Sequence, residues 1–462
     1  MANKNTRSAL TKAFSFVDLS HIPGPRGLEY IKYVNFFQKN ILGAFSQVGV
    51  DYGDIASFPW PMNSIIIYSP EFARQILVER HKKYIKGEQI EEMRAVVGTG
   101  LATNNDYPSW LRSRTIVAKE FNSKAVEGFV SQFGKWTDKR IDYWETHGSS
   151  VIDICEEMKF LTFEIACATL LGSHLDVSEA HKVNEAVKYT AKVSYERIFQ
   201  FFPLPYWLPT STNLKFNQHY NNLDSIVMRL IDEEKARDKT HAPSSVLERL
   251  VHAKDPESGT GLSDEELRDE VLTLMLAGHE TSAHTLTWII GLLAKHQDKQ
   301  KRLQSEIDNF SEHSLYNINE QIPFLYWIIL EGMRLYPAFP VLSRKCATED
   351  QLGPYRIPPQ TNVVIPIFVI QSLKENWESA KQFLPERFED ENLSKNVAYM
   401  PFSKGPRKCL AEHFALTEMG IILYKIFKNF DVELVNENLP MAEAYFSLKP
   451  VGGMKVVLRP RA

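Results

Sequence analysis

Residues 263–296 constrain the fold more than any other stretch of this chain. Ser263-Asp-Glu-Glu266 is a capping box, in which a serine hydroxyl and a glutamate carboxylate each take an unpaired backbone N–H at a helix start. Acidic residues crowd that first turn, where the helix dipole favours them. Apolar residues continue through Leu267, Val271 and Leu274 to Leu293, with no proline to stop them. The spacing predicts one helix to about His296, roughly 50 Å long at a rise of about 1.5 Å per residue. A rod of that length crosses a whole domain, so the other elements are expected to pack around it. Its middle reads Ala277-Gly278-His279-Glu280-Thr281. Glycine inside a helix costs about 1 kcal/mol relative to alanine, which points to a close approach or a function there.

Around this helix, most of 70–340 carries helical spacing with brief Pro and Gly interruptions, and short β-like pieces stand at 55–58 and 65–68. Strand-like material at 338–370 and 431–459 is too scattered for a parallel sheet. No linker rich in Ser, Gly or Pro divides the 462 residues, and no repeat appears. The expectation is a mainly α protein with a small β portion. A polar arm at 1–20 leads through the rigid turn at 21–27 into one domain over 21–462.

Composition narrows the function. Apolar residues at 44% and charged residues at 24% exclude collagen-like and disordered chains. With 53 basic residues against 57 acidic ones and a net charge of −4, nucleic acid is not expected as the main partner. Four cysteines, Cys155, Cys167, Cys346 and Cys409, are too few for a disulfide framework and suit a reducing compartment. The N-terminus lacks the apolar run of a signal peptide, and the longest apolar run, 363–370, is broken by Pro366. A soluble cytoplasmic protein without a transmembrane anchor is expected.

Two constellations bear on chemistry. His279-Glu280 with His284 suggests a zinc helix, but the second histidine comes five residues after the first, about 140° around the helix, so the two do not share a face. A core-satisfied or solvated pair is the plainer reading. The second lies at 401–415, where a glycine-containing loop delivers Cys409 to a helix start. Unpaired N–H groups and the neighbouring Arg407 and Lys408 are expected to favour its thiolate, as a nucleophile or metal ligand. A buried structural cysteine and a small phosphate patch are the alternatives.

Phe402, Gly405, Arg407 and Cys409 form Phe-x-x-Gly-x-Arg-x-Cys, and through it the sequence resembles the cytochrome P450 family of haem-thiolate monooxygenases over nearly its whole length. The resemblance implies the cytochrome P450 fold, a long central helix over haem b, and Cys409 as axial ligand of the haem iron. Further motifs occur in the family's order. Glu331-Gly-Met-Arg334 resembles its Glu-x-x-Arg helix, with both side chains on one face. Arg387, within Phe383-Leu-Pro-Glu-Arg-Phe388, would complete a buried structural triad with them. Trp110, Arg114, Arg344 and Arg407 resemble the donors to the haem propionates, three cations for two carboxylates. Ala277, Gly278, Glu280 and Thr281 resemble the oxygen-activation motif. There the missing side chains open a groove for dioxygen, the threonine hydroxyl bonds to it and the glutamate orients water or relays protons. Thr281 equally suits a back-bond to the carbonyl four residues earlier. Ala411 departs from the pattern, since many members carry glycine there, and this bears on haem packing and not on ligation.

The implied reaction inserts one oxygen atom into a hydrophobic organic substrate, by hydroxylation or epoxidation. The stretch after Cys409 is too short for a flavin or iron–sulfur segment, so a separate ferredoxin or flavodoxin-type donor is expected. Lys404, Lys408, Arg112 and Lys119 would form its basic landing face. Pocket walls are expected from 84–104, 197–212 and 338–342, which are mostly apolar. Fatty acids, terpenoids and steroids all suit them, with a slight lean to a fatty-acid-like substrate. A monomer is expected. The alternatives are a peroxygenase or isomerase on the same scaffold, or a non-catalytic haem-binding sensor; the intact Glu280-Thr281 pair favours dioxygen chemistry.

Overall fold

In the computed structural model, which describes residues 16–146, 151–172, 177–198, 200, 204–237, 244–310 and 314–461, the capping box forms. Ser263 Oγ accepts from the Glu266 N–H, and the Glu266 carboxylate accepts from the Ser263 N–H. The helices that build the site are α1 (Glu88–Val97), α2 (Tyr107–Ala118), α3 (Ile154–Ala166), α4 (Val177–Ile198), α5 (Asp264–Lys295), α6 (Pro323–Leu335) and α7 (Glu412–Asn429). The expected long helix is α5, unbroken, with His296 as its C-cap. It is buried on almost every side, as a helix with apolar residues all round must be, and α3 lies along it.

The β portion is a five-stranded mixed sheet. Its strands are β1 (Ile55–Phe58), β2 (Ser64–Ile67), β3 (Tyr84–Lys86), β4 (Leu342–Cys346) and β5 (Asn362–Ile365), in the order β1-β2-β5-β4-β3. Only β2 and β5 run parallel. Arg344 sits in the middle of β4, because Pro337 and Pro340 cannot donate to a ladder and delay the strand to Leu342. The antiparallel register sets Lys86 opposite Arg344. A second apolar cluster packs beneath this sheet and includes Val17 and Leu19, so packing begins before residue 21. Residues 1–15 of the expected arm lie outside the described residues. A short hairpin, β6 (Ala442–Ala444) with β7 (Leu448–Pro450), approaches α5 from the C-terminal side. Among the described residues, no helix is long and apolar enough to cross a membrane.

Candidate functional site

The cysteine loop is built on glycine. Gly405 takes φ +76, and a Cβ there would stand 2.0 Å from the Leu77 carbonyl oxygen, so no other residue fits. The Cys409 N–H then closes the loop on the Phe402 carbonyl at 2.9 Å. Ala411, at φ −94 and ψ 24, needs no glycine freedom, which explains how the chain tolerates alanine there. Cys409 is exposed, yet enough protein lies around its thiol for burial to push it up to about 11. The Ala411 N–H, Arg114 and Lys408 pull the other way and lose. The expectation that the helix start would favour the thiolate is thereby corrected, because the cost of desolvating a charge exceeds what one N–H and two side cations return.

Beside this loop stands a cluster of cations that forms no ion pair among the described residues. Trp110 is buried on α2, whose start is capped by Asp106, and the guanidinium carbons of Arg407 and Arg114 lie 4.6 and 5.5 Å from its ring. Arg114 donates to the Lys408 carbonyl at 2.8 Å, Arg407 to that of Asn104 at 3.1 Å and Arg344 to that of Ser343 at 2.8 Å. Sequence reasoning missed a fourth member. Lys86 is buried opposite Arg344, and its ammonium donates to the Leu101 carbonyl. A lysine two residues after Tyr84, on the same buried face of the short strand inside the 84–104 segment, was the available signal. Burial, and then Arg407, pushes Arg344 down to about 10; burial, then Arg407 and Arg344, pushes Lys86 well below the ordinary lysine range. Glu270 on α5 is the one acid that acts on Lys86, and burial pushes that carboxyl itself up to about 7. The Nε of Arg407 is buried with no partner among the described residues. Such a cluster, next to a free thiol, suits a ligand that brings two carboxylates and a thiophilic metal, as the haem implied by the resemblance does.

On α5, Ala277 is exposed and Gly278, Glu280 and Thr281 are half-buried, although the helix on both sides is buried. A Cβ added to Gly278 would find its nearest atom, in Leu170, at 3.9 Å, so the position is roomy. Thr281 Oγ1 donates to the Ala277 carbonyl at 2.8 Å, the back-bond expected of a mid-helix threonine. Next to it, Ser282 Oγ donates to Glu418 of α7 at 2.8 Å, and burial pushes that carboxyl up to about 8. Both histidines are buried: His279 Nδ1 lies 3.0 Å from the Met275 carbonyl and His284 Nδ1 lies 2.6 Å from Ser447 Oγ, while His284 Nε2 has no partner among the described residues. Among the described residues no cluster of three metal-binding side chains exists.

Glu331, Arg334 and Arg387 come together as the sequence implies. Both carboxylate oxygens of Glu331 accept from Arg334, at 2.7 and 2.8 Å, and one also accepts from Arg387 at 3.2 Å. The basic face fares less well. Arg112 is paired with Glu266 at 2.9 Å, Lys408 is paired with Glu412, and the Lys404 ammonium donates to the Asn396 carbonyl. Of the 197–212 wall, 199 and 201–203 lie outside the described residues; Arg197 there bonds Glu92 of α1 at 3.4 Å and stacks on Tyr206.

The cytochrome P450 family model matches residues 22–455. The bifunctional cytochrome P450/NADPH–P450 reductase 2 of Bacillus subtilis is 27% identical to 96% of this chain, which spans 43% of that protein's length. Cyclooctat-9-en-7-ol 5-monooxygenase of Streptomyces melanosporofaciens is 27% identical over 79% of each chain. The chloroplastic carotene epsilon-monooxygenase of Arabidopsis thaliana is 28% identical over 81% of this chain and 74% of its own.

Proposed function

The chain belongs to the cytochrome P450 family, and on that premise we propose that it is a monooxygenase that places one atom of dioxygen into a hydrophobic organic molecule. The observation that carries this reading is the free Cys409 thiol beside four cations, none of which forms an ion pair with a described residue. Cys409 Sγ would hold the iron of haem b, and Trp110 N–H, Lys86, Arg114, Arg344 and Arg407 would take its two carboxylates. When bound, thiolate-ligated haem supplies the reduction of dioxygen and the transfer of one oxygen atom.

The remaining roles belong to side chains. Ala277 and Gly278 keep the groove clear of carbon. Thr281, by releasing its hydroxyl from the Ala277 carbonyl, presents an O–H to that groove and holds a water beside it. Glu280, half-buried and without a hydrogen bond to the described residues, turns between solvent and groove and replaces the proton. Apolar walls orient the substrate and keep bulk water out. The carotene and cyclooctat-9-en-7-ol in the relatives' names are large and rich in hydrocarbon, which agrees with such walls. Electrons come from a ferredoxin or flavodoxin-type protein, whose steering by charge is weak because Arg112 and Lys408 are already paired. All four cysteines are free, which supports a reducing compartment such as the cytoplasm.

The test is product formed per NAD(P)H consumed through a surrogate redox chain. Thr281→Ala is expected to keep haem content and substrate binding, lose about tenfold in product per electron, and release hydrogen peroxide instead. An unchanged ratio removes Thr281 from the mechanism. A peroxygenase driven by peroxide shows no difference between the two proteins, and a sensor forms no product with either.

A further inference from the structure

The β6–β7 hairpin meets the central helix through a bond that the activity above does not use. At about 3.6 residues per turn, His284 and Trp288 fall on the same stripe of α5 as Ala277 and Thr281. Both are buried, as is Ser447 at the end of the hairpin's turn. His284 Nδ1 lies 2.6 Å from Ser447 Oγ, and Trp288 Nε1 donates to the Leu448 carbonyl at 2.8 Å. The tip of the turn, Tyr445 and Phe446, packs on the other side against Tyr195 of α4, with ring centroids 4.2 and 5.3 Å apart. Tyr195 also donates its hydroxyl to the Ala444 carbonyl, and the Leu448 N–H donates to that of Ala338. The turn is therefore tied to α4, to Ala338 and to the stripe that carries Thr281, and Tyr445 stands near enough to Glu280 that burial first and then that carboxylate raise its hydroxyl.

An imidazole is a costly way to fill this place. Its Nε2 is buried with no partner, and an aliphatic side chain would pack the stripe without stranding a polar atom. Burial first, then Lys159, Lys449 and His279, pushes the ring down to about 3, so it stays neutral and the bond to Ser447 is a fixed tie and not a pH switch. We propose that His284 is a positioning residue, whose bond to Ser447 holds Tyr445 and Phe446 against the groove beside Thr281 and so limits the bulk of the molecule that fits there. This rests on the monooxygenase reading for what the groove holds.

The test uses the haem-loaded full chain and two nitrogen ligands of haem iron that differ in bulk, imidazole and 4-phenylimidazole, followed by the Soret shift. His284→Ala and Ser447→Ala are each expected to tighten 4-phenylimidazole about fivefold, which is about 1 kcal/mol, while moving imidazole less than about twofold. The double variant should match the singles, since both remove one bond. Ser447→Ala deletes a single hydroxyl and serves where His284→Ala does not fold. Equal movement of both probes, additive effects, no movement, or a gain confined to His284→Ala, which also vacates the ring's volume, overturns the proposal. Wild-type protein that takes up no haem or binds neither probe overturns the cofactor reading and this inference together; wild-type protein that binds both, with variants that fail to discriminate, overturns this inference alone.

Discussion

Two buried groups of cations differ in what they lack. Around Glu331, every charge is answered: Arg334 and Arg387 share one carboxylate, the Leu384 N–H adds a bond at 3.0 Å, and the spare N–H groups of Arg334 go to the carbonyls of Gln371, Ala380 and Gln382. Around Trp110, the hydrogen bonds of Lys86, Arg114, Arg344 and Arg407 to described residues go to carbonyls alone, Glu270 reaches Lys86 only through space, and one N–H of Arg407 has no partner among the described residues. The first group is complete in itself and reads as architecture. The second is half of a binding site, because buried cations that depress one another are tolerated only where an anion is to come.

The largest expected effect comes from breaking the complete group. Glu331→Gln strands two buried guanidiniums and should lower unfolding stability by about 3–5 kcal/mol, with or without haem, read from the urea midpoint. A loss under about 1 kcal/mol would place the two groups in the same class.

The incomplete group should respond with opposite signs in the two states. Lys86→Met relieves like-charge repulsion, so haem-free protein is expected to be unchanged or more stable by about 1 kcal/mol, while haem affinity falls about tenfold. Haem titration of the two proteins, followed by denaturation of each, checks both signs. If Lys86→Met destabilises the haem-free chain as Glu331→Gln does, the contrast fails.

A smaller effect compares Glu331 with another buried acid, Glu418, which accepts a hydrogen bond from Ser282. Burial raises its folded-state pKa to about 8 from the ordinary 4.5. The native state therefore holds a proton that the unfolded chain releases. Stability from this group is fully present below about 4.5 and is lost as pH rises through about 8, by up to about 1.4 kcal/mol per pH unit. Glu418→Gln should flatten that window, and denaturation at matched pH values measures the difference. A wild-type slope that survives the substitution assigns the dependence elsewhere.

Legibility in the sequence followed the range of the interaction. The capping box at Ser263, the reach of α5 to Lys295 and the Glu331-Arg334 pair depend on residues within a few turns of one another, and all three were readable. The tight turn at Gly405 was equally local. Lys86 was not readable, because its burial depends on pairing with β4, far along the chain. The same holds for Arg112 with Glu266, for Ser282 with Glu418 and for His284 with Ser447. The direction of the Cys409 thiol shift was misread for a related reason: the helix start is visible in the sequence, whereas the protein wrapped around the sulfur is not.

The central claim is that Cys409 and the anion-hungry cluster together receive a thiolate-ligated haem. Its most direct measurement is the absorption spectrum of the dithionite-reduced protein under carbon monoxide. Wild-type protein, and variants with Cys155, Cys167 or Cys346 replaced by alanine, should show the strongly red-shifted Soret band of thiolate ligation, and Cys409→Ala should lose it. A band that survives in Cys409→Ala, or that vanishes with one of the other three cysteines, would contradict the assignment.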